Sequence, residues 1–248
     1  MVIFIFLCFD ESLRQKNFTS SRKLDICRQI AELEMLMEHT AFFMVILSHG
    51  EQNDFIYGKN GNSVQVDDLI EPFRGNNCPG LAGKPKVFIV NACRGTTYDD
   101  GFEARLYRQT RNDLRKKSKS TSDNDDKNNK RAKSTDRADA IIPKNNSKKE
   151  RHYEQIKIPH CADVLIAFSC VSGYYSWRNK IEGSWFIQAL CNQLREADYE
   201  KDDFMRLLTK ASNYVAYRME SNAAHRSMDE KKQVPCIVSS LTKCLFFE

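Results

Sequence analysis

The chain has 248 residues, of which 41% are hydrophobic and 10% aromatic, and its net charge is +5. This length and composition suit one α/β domain or two small ones with a real core, and they exclude a wholly disordered chain. The charge is uneven, because residues 105–151 hold 16 Lys and Arg against 7 Asp and Glu, which leaves −4 on the rest. No nucleic-acid-binding surface is therefore expected in the folded parts.

The nine cysteines are odd in number, are spread along the chain and form no CxxC pair. A disulfide framework or a zinc site needs paired or closely spaced cysteines, so neither is predicted. No other metal site and no cofactor are expected. Several cysteines lie inside apolar runs, where a thiol acts as a small hydrophobic group. This usage favours a reducing, cytoplasmic compartment.

Folding signals begin at the first residue. The opening MVIFIFLCF is too short to span a bilayer and lacks a basic region and a small-residue cleavage site, so it is predicted to be a strand and not a signal peptide. Apolar residues at helical spacing predict a helix over 20–38, and the run AFFMVIL at 41–47 predicts a buried strand.

The same block continues with a hairpin signal and a second buried strand. DFIYGKNGNSVQV carries Asn60-Gly61 between two β-like runs, and Pro72 limits any helix at 67–74 to a short one. KVFIV at 86–90 predicts the strand, which ends at the polar segment 91–95. Residues 103–154 then lack apolar periodicity and consist largely of Lys, Ser, Asp and Asn, so a disordered linker is predicted.

A second block begins near residue 156. DVLIAFS at 163–169 predicts a buried strand, and 183–197 predicts an amphipathic helix that starts at a Gly/Ser cap. Another helix follows the capping pair Asp202-Asp203. VPCIVSSL and the final CLFF are predicted to be strands. Because these strands alternate with helices and lack polar alternation, the sequence predicts an α/β fold with a mostly parallel sheet covered on both faces.

Two polar clusters follow predicted strands directly, Ser48-His49-Gly50 and the segment 91–95. Catalytic groups collect at the carboxyl ends of parallel strands. A cysteine nucleophile needs a neighbouring base, and His49 could serve Cys93 in that way. The N–H groups of Gly50 and Cys93 could stabilise an oxyanion. Each of these residues, taken singly, could also have no catalytic role, since most histidines at the ends of strands are simply hydrogen-bonded or exposed.

Together these segments resemble the caspase family of cysteine peptidases in order and spacing. The resemblance rests on SHGEQNDFIYGKNG, GNNCPGLAGKPKVFIVNACRG and GYYSWRNKIEGSWFIQALC, and KKQVPCIVSSLTKCLFF extends it. It covers residues 18–101 and 156–248. The resemblance implies a three-layer α/β/α sandwich around a mostly parallel sheet of about six strands. It also implies one catalytic domain, with a large-subunit part at 1–101, a basic linker at 102–155 and a small-subunit part at 156–248.

The resemblance also assigns roles to residues. It implies that Cys93 is the nucleophile, His49 the base, and Gly50 with Cys93 the oxyanion hole. Arg178 corresponds to an arginine that binds the P1 aspartate, which suits the planar donor fork of a guanidinium. The other implied substrate-binding residues form apolar walls for P2 and P4 or pair with the substrate backbone as an added strand: Tyr175, Ser176, Trp177, Asn179 and Trp185.

Two departures from the family pattern weaken the P1 site. The family has Gln where this chain has Asn91, whose amide sits on a stem one methylene shorter. The family's first strand and helix, and a loop with a second P1-binding arginine, would lie upstream of about residue 3. Either the sequence is a fragment or misassigned start of a longer protein, or the chain is a weakened relative. The completeness of the remaining site favours a fragment.

These observations predict a cytoplasmic, aspartate-specific endopeptidase that acts in apoptosis-type signalling. The expected partners are protein substrates with P1 Asp, a second copy in a homodimer and an upstream caspase as activator, but no nucleic acid or membrane. Linker cleavage would activate the zymogen, and Asp139 best fits the family's processing pattern because Asp136 stands at P4 and Ala140 follows. A catalytically impaired pseudo-caspase that binds partners is the alternative. A metacaspase-like enzyme is disfavoured, because Arg178 would repel basic P1 residues.

Overall fold

The structure is a computed structural model that describes residues 18–104 and 157–247, together with the backbone of residues 2–8. Met1–Gly101 and Lys157–Glu248 make one compact unit, and Phe102–Ile156 is a second unit of which 102–104 are described. The predicted linker thus lies almost entirely outside the described residues, and the predicted division into large-subunit part, linker and small-subunit part stays a prediction.

The described part of the chain contains strands interspersed with helices. The strands are β1 (Val2–Cys8), β2 (Ala41–Leu47), β3 (Phe55–Tyr57), β4 (Ser63–Gln65), β5 (Lys86–Asn91), β6 (Val164–Phe168), β7 (Arg178–Asn179), β8 (Gly183–Ser184) and β9 (Cys236–Ser239). The α-helices are α1 (Ser20–Ala31), α2 (Val66–Ile70), α3 (Trp185–Arg195) and α4 (Phe204–Arg218). Short 3₁₀ turns join them: Glu34–Glu38, Gln52–Asp54, Glu71–Phe73, Gly75–Asn77, Pro79–Leu81 and Arg226–Met228.

The main sheet has the order β1-β2-β5-β6-β9. The first four of these strands are parallel, and β9 runs antiparallel to β6. Alternate residues of β2 belong to two cores: Phe42, Met44 and Ile46 pack with α1 and α2, whereas Phe43 and Val45 pack with α3 and α4. The predicted α/β sandwich is therefore confirmed. Its described sheet contains five strands, against about six predicted.

The predicted hairpin is also present, as the antiparallel pair β3 and β4, with Gly61 at a φ of +75° in its turn. Among the described residues, no helix is both long enough and apolar enough to cross a bilayer.

Two element predictions are wrong. The helix predicted over 20–38 ends at Ala31, and a 3₁₀ turn follows, because the chain turns at Leu33 to bury Leu36. The final CLFF is not a strand. There the Leu245 carbonyl accepts a hydrogen bond from the first residue of α4, Phe204, at 2.7 Å, and the Phe247 ring lies 5.7 Å from that of Phe43. The C-terminal tail therefore hydrogen-bonds to the N-terminal end of α4, and its Phe247 ring covers the sheet face that carries Phe43.

Candidate active site

His49 and Cys93 lie at the same edge of the sheet. Their strands β2 and β5 are parallel neighbours in which Leu47 pairs with Asn91, and each residue follows its strand's last pair by two positions. The backbone N–H of Ser48 extends this pairing by donating to the Asn91 carbonyl at 3.2 Å. The side chain of His49 is exposed at this edge, and Cys93 is partly buried.

Gly50 makes a close backbone contact with the Cys93 loop. A Cβ at this position would lie 2.4 Å from the Cys93 carbonyl oxygen and 3.0 Å from that of Phe55. Any other residue would force backbone apart, so the segment after His49 needs glycine here. The two residues predicted to form the oxyanion hole, Gly50 and Cys93, are thus in direct contact through their backbones.

The Cys93 thiol lies against the backbone of Ser176, which belongs to the second block. The Ser176 N–H donates to the sulfur at 3.4 Å, and the thiol faces the Ser176 carbonyl at 3.9 Å. Burial raises the pKa of the Cys93 thiol, while the Ser176 amide opposes the rise. At neutral pH the sulfur is therefore mainly a thiol, and it needs a base before it can attack.

Arg94, beside Cys93, forms an ion pair that the sequence did not reveal. Its guanidinium donates to both carboxylate oxygens of Asp54, at 2.6 and 3.0 Å, and to the Cys170 carbonyl at 3.2 Å. The same group lies 3.8 Å from the centroid of the Phe168 ring. The pair therefore ties the segment after His49 to the residue after Cys93. The turn that carries Asp54 has left-handed backbone at φ 61°, which no local sequence signal announces.

The loops on the two sides of the linker are joined at the site. Arg94 N–H donates to the Tyr174 carbonyl at 3.0 Å, and Gly173 N–H donates to the Arg94 carbonyl at 2.8 Å. A Cβ on Gly95 would lie 2.1 Å from the Gly173 carbonyl oxygen, so this approach also requires glycine. The Cys93 loop and the predicted substrate-binding loop are thus held together by backbone hydrogen bonds.

The predicted aromatic walls form a single cluster. The Trp177 ring lies 5.2 Å from Tyr175 and 5.9 Å from Trp185. Tyr98, which the sequence analysis missed, joins it at 5.4 Å from Tyr175 and 5.7 Å from Trp177. Both tryptophans are 8% exposed and belong to the core beneath α3 and α4, whereas Tyr175 is half-buried. The tryptophans therefore act as core residues at the base of the site, and Tyr175 is the more accessible wall.

Arg178 and Asn179 form β7, which pairs with β8, and both residues are exposed. Arg178 pairs with Ser184, and the Ser184 hydroxyl accepts a hydrogen bond from the Asn91 amide at 2.9 Å. The Asn91 Oδ1 atom is buried and has no hydrogen-bond partner among the described residues. The structure thus brings Asn91 to the hairpin that carries Arg178. Asp139, the predicted processing site, lies outside the described residues.

Within the described part of the chain, no three His, Cys, Asp or Glu side chains converge in a group that could hold a metal ion. The chemistry that this arrangement offers is a thiol, an imidazole and backbone N–H groups at one edge, with an arginine nearby.

Comparison with known proteins identifies the family to which the chain belongs. The model of the family described as the caspase domain matches residues 7–246. Caspase-3 of Oryctolagus cuniculus is 37% identical over 243 residues, which are 98% of this chain and 72% of that protein. Caspase-7 of Gallus gallus is 36% identical over 222 residues, 90% of this chain and 59% of that protein. The crystal structure of caspase-1 from Spodoptera frugiperda aligns with a TM-score of 0.70 and 30% identity, covering 99% of this chain and 89% of the other. The chain belongs to the caspase family.

Proposed function

We propose that the chain is a cysteine endopeptidase that cleaves peptide bonds after aspartate. The observation that carries this proposal is the strand edge beside the nucleophile. The Trp177 N–H and carbonyl are both directed inward, to Gln233 at 2.6 Å and to Trp185 N–H at 3.2 Å, whereas the Ser176 N–H and carbonyl both face the Cys93 sulfur. Because successive strand residues face opposite sides, this arrangement turns the backbone of Ser176 toward Cys93, where a substrate backbone would lie alongside it as an added strand.

The proposed chemistry uses the residues at this edge of the sheet. His49 takes the proton of the Cys93 thiol, and the thiolate attacks the carbonyl carbon of the scissile bond. The N–H groups of Gly50 and Cys93 stabilise the oxyanion that forms. The C–N bond breaks as His49 returns the proton to the amine, which leaves a thioester on Cys93. Water, deprotonated by His49, then releases the carboxylate product and restores the thiol.

Selection of aspartate is assigned to Arg178. Its guanidinium matches a carboxylate with two parallel hydrogen bonds, and it stands in the hairpin that also meets Asn91. Tyr175 and Trp177 would enclose P2, and Trp185 with Trp177 would border P4. Asn179 lies next to Arg178 on the same strand and would pair with the substrate backbone.

We further expect the protein to be a cytoplasmic zymogen that acts in apoptosis-type signalling. An upstream caspase would cut the linker, and a homodimer would be the active form. These expectations rest on family membership and on the basic, low-complexity character of residues 102–155.

A catalytically impaired caspase that binds partners is the second candidate. Two features favour it: the Asn91 amide is engaged by Ser184, and burial raises the pKa of the Cys93 thiol. Such a protein would bind aspartate-containing peptides or other caspases without turning them over.

The two candidates are separated by a panel of fluorogenic peptides that differ only at P1, with Asp, Lys or an uncharged residue. We expect the linker-cleaved protein to hydrolyse the Asp peptide alone. Cys93→Ala should abolish hydrolysis, losing several orders of magnitude in rate. Cys191→Ala removes a partly buried thiol on α3 and is the matched control, which should retain activity. Binding of the Asp peptide without turnover would support the impaired protein instead.

A further inference from the structure

Gln233 is a buried polar residue to which neither the mechanism nor the predicted substrate site gives a part. It lies just before β9, in the segment KKQVPC, and its side chain is 3% exposed. A buried amide needs hydrogen-bond partners for both its oxygen and its nitrogen, because leaving either unpaired is costly. The identity of those partners indicates what Gln233 holds in place.

Both partners of the Gln233 amide lie at the active site. Its oxygen accepts the backbone N–H of Trp177 at 2.6 Å, and its nitrogen donates to the backbone carbonyl of Ser169 at 2.7 Å. Trp177 belongs to the predicted substrate-binding segment, and Ser169 follows the last residue of β6. One side chain therefore bridges the substrate-binding segment and the sheet.

Ser169 in turn hydrogen-bonds to the loop that carries Cys93. It is fully buried, and its hydroxyl donates to the carbonyl of Ala92, the residue before Cys93, at 3.2 Å. The same hydroxyl accepts a hydrogen bond from the Ser176 hydroxyl at 2.8 Å. Gln233, Ser169 and Ser176 thus make a continuous network, buried at Gln233 and Ser169 and partly buried at Ser176, between the backbone of Trp177 and that of the Cys93 loop.

We propose that Gln233 is a positioning residue that sets the distance between the substrate-binding strand and Cys93. By holding the inward-facing N–H of Trp177, it leaves the backbone groups of Ser176 turned toward the sulfur. This inference rests on the proposed function, because the strand must bind a peptide for its position to matter. A shift of the strand by about 1 Å would weaken its pairing with a substrate backbone, and a displacement of that size can lower kcat/KM by about 100-fold.

The variant Gln233→Met keeps the size of the side chain and removes both hydrogen bonds. We expect KM for an Asp fluorogenic peptide to rise about 10- to 100-fold, with a smaller change in kcat. In the Cys93→Ala background, which separates binding from chemistry, Kd for the same peptide should rise to a similar extent. A residue that only supported the fold would lower the melting temperature and leave KM and Kd unchanged.

Two further variants keep the test decisive if Gln233→Met does not fold. Gln233→Asn keeps the amide on a stem one methylene shorter, so it cannot reach both Trp177 and Ser169, and it should raise KM and Kd in the same direction. Ser176→Ala removes the hydrogen bond from a partly exposed residue and should raise both by about 3-fold, as expected for loss of one net hydrogen bond.

Thr242→Val is the matched control. Thr242 donates to the Asp163 carboxylate at 2.6 Å, at the opposite end of β6 from Ser169, so the change removes one hydrogen bond away from the site. It should lower the melting temperature without altering KM or Kd. Unchanged KM and Kd in all three site variants would overturn the role of Gln233 while leaving the peptidase intact. Failure of the unmodified protein to bind or cleave the peptide would instead contradict the proposed function itself.

Discussion

Arg178 is the residue on which the proposed specificity depends. Its side chain is exposed at the β7–β8 hairpin, and the P1 carboxylate would remove it from water on binding. Arg178→Ala leaves that carboxylate without a cation, so kcat/KM for Asp peptides should fall by about 100-fold or more. Steady-state kinetics with the Asp peptide measures the loss.

The neighbouring Lys180 offers a matched control, since it is an exposed cation in the same hairpin. Lys180→Ala should change kcat/KM for Asp peptides by less than about 3-fold, as is usual for exposed charges. Equal losses in the two variants would mean that the general positive charge of the hairpin, and not Arg178, attracts the substrate.

The placement of His49, Gly50 and Cys93 could be predicted because it follows from strand order. Two apolar strands of similar length, each followed at once by polar residues, end at the same edge if they are parallel neighbours. The Asp54–Arg94 pair could not be predicted in this way. It joins residues 40 positions apart through a turn with positive φ, and no periodicity or spacing encodes that turn.

The buried amide network also escaped the sequence analysis. Gln233 stands between basic residues and a strand, where a glutamine is ordinarily read as an exposed polar residue. Only the packing of the segment before β9 against the loop after β6 buries it. Burial of a polar group depends on tertiary packing, so the sequence pattern could not predict that Gln233 is buried.

Among the elements, the helix starts show how a cap and a site residue differ. The Asp203 side chain accepts the Arg206 N–H at 2.7 Å and caps α4, as the sequence predicts. Ser184 stands at the corresponding position of α3 but makes no capping hydrogen bond, because its hydroxyl accepts from Asn91 instead. The N-cap residue of α4 thus caps its helix, whereas the N-cap residue of α3 binds the Asn91 side chain.

This difference gives a prediction at the level of elements. Asp203→Ala should lower the free energy of unfolding by about 1 kcal/mol through loss of the cap and leave peptide hydrolysis unchanged. Ser184→Ala should have the opposite pattern of effects: KM for Asp peptides should change, and the free energy of unfolding should stay nearly the same. Urea denaturation and steady-state kinetics on both variants provide the check. A stability loss in Ser184→Ala as large as in Asp203→Ala would show that Ser184 is a true cap.

The strands were more predictable than the ends of helices. β2, β5 and β6 are continuous apolar runs, and such runs indicate strands buried on both faces whatever surrounds them. The end of α1 and the course of the final CLFF depend on where Leu36 and Phe247 find space in the core. Other elements create that space, so the local spacing of apolar residues could not predict where α1 ends or that CLFF is not a strand.

At the scale of the molecule, the linker separates strands that are adjacent in the sheet. β5 precedes residues 102–155 and β6 follows them, yet the two pair in parallel from Lys86–Val164 to Val90–Phe168. The loop that carries Cys93 and the predicted substrate-binding loop lie on opposite sides of the linker in sequence and are also joined, through Arg94 and Gly173. A cut within the linker should therefore leave the two pieces associated.

Processing at Asp139 is expected to give two fragments that stay together. The N-terminal piece would carry His49 and Cys93, and the C-terminal piece would carry Arg178. Denaturing intact-mass analysis should find both fragments, while native mass spectrometry should find them in one complex. Asp139→Ala should block this cut, with Asp123→Ala as the control that does not. An unchanged fragment pattern in Asp139→Ala would place the cut elsewhere, and separation of the fragments under native conditions would contradict the shared sheet.

The most direct test of the proposed peptidase is covalent labelling of Cys93 by a substrate-like reagent. A peptide fluoromethyl ketone with P1 Asp reacts with a cysteine nucleophile that the peptide has brought into position, forming a thioether as fluoride leaves. We expect intact-mass analysis to show one adduct per chain, and peptide mapping to assign it to Cys93. The exposed Cys161 and Cys244 should stay unlabelled, and the same fluoromethyl ketone with Lys in place of Asp at P1 should not react. Labelling of Cys161 or Cys244 in place of Cys93, or equal labelling by the Asp and Lys reagents, would contradict an aspartate-directed nucleophile at Cys93.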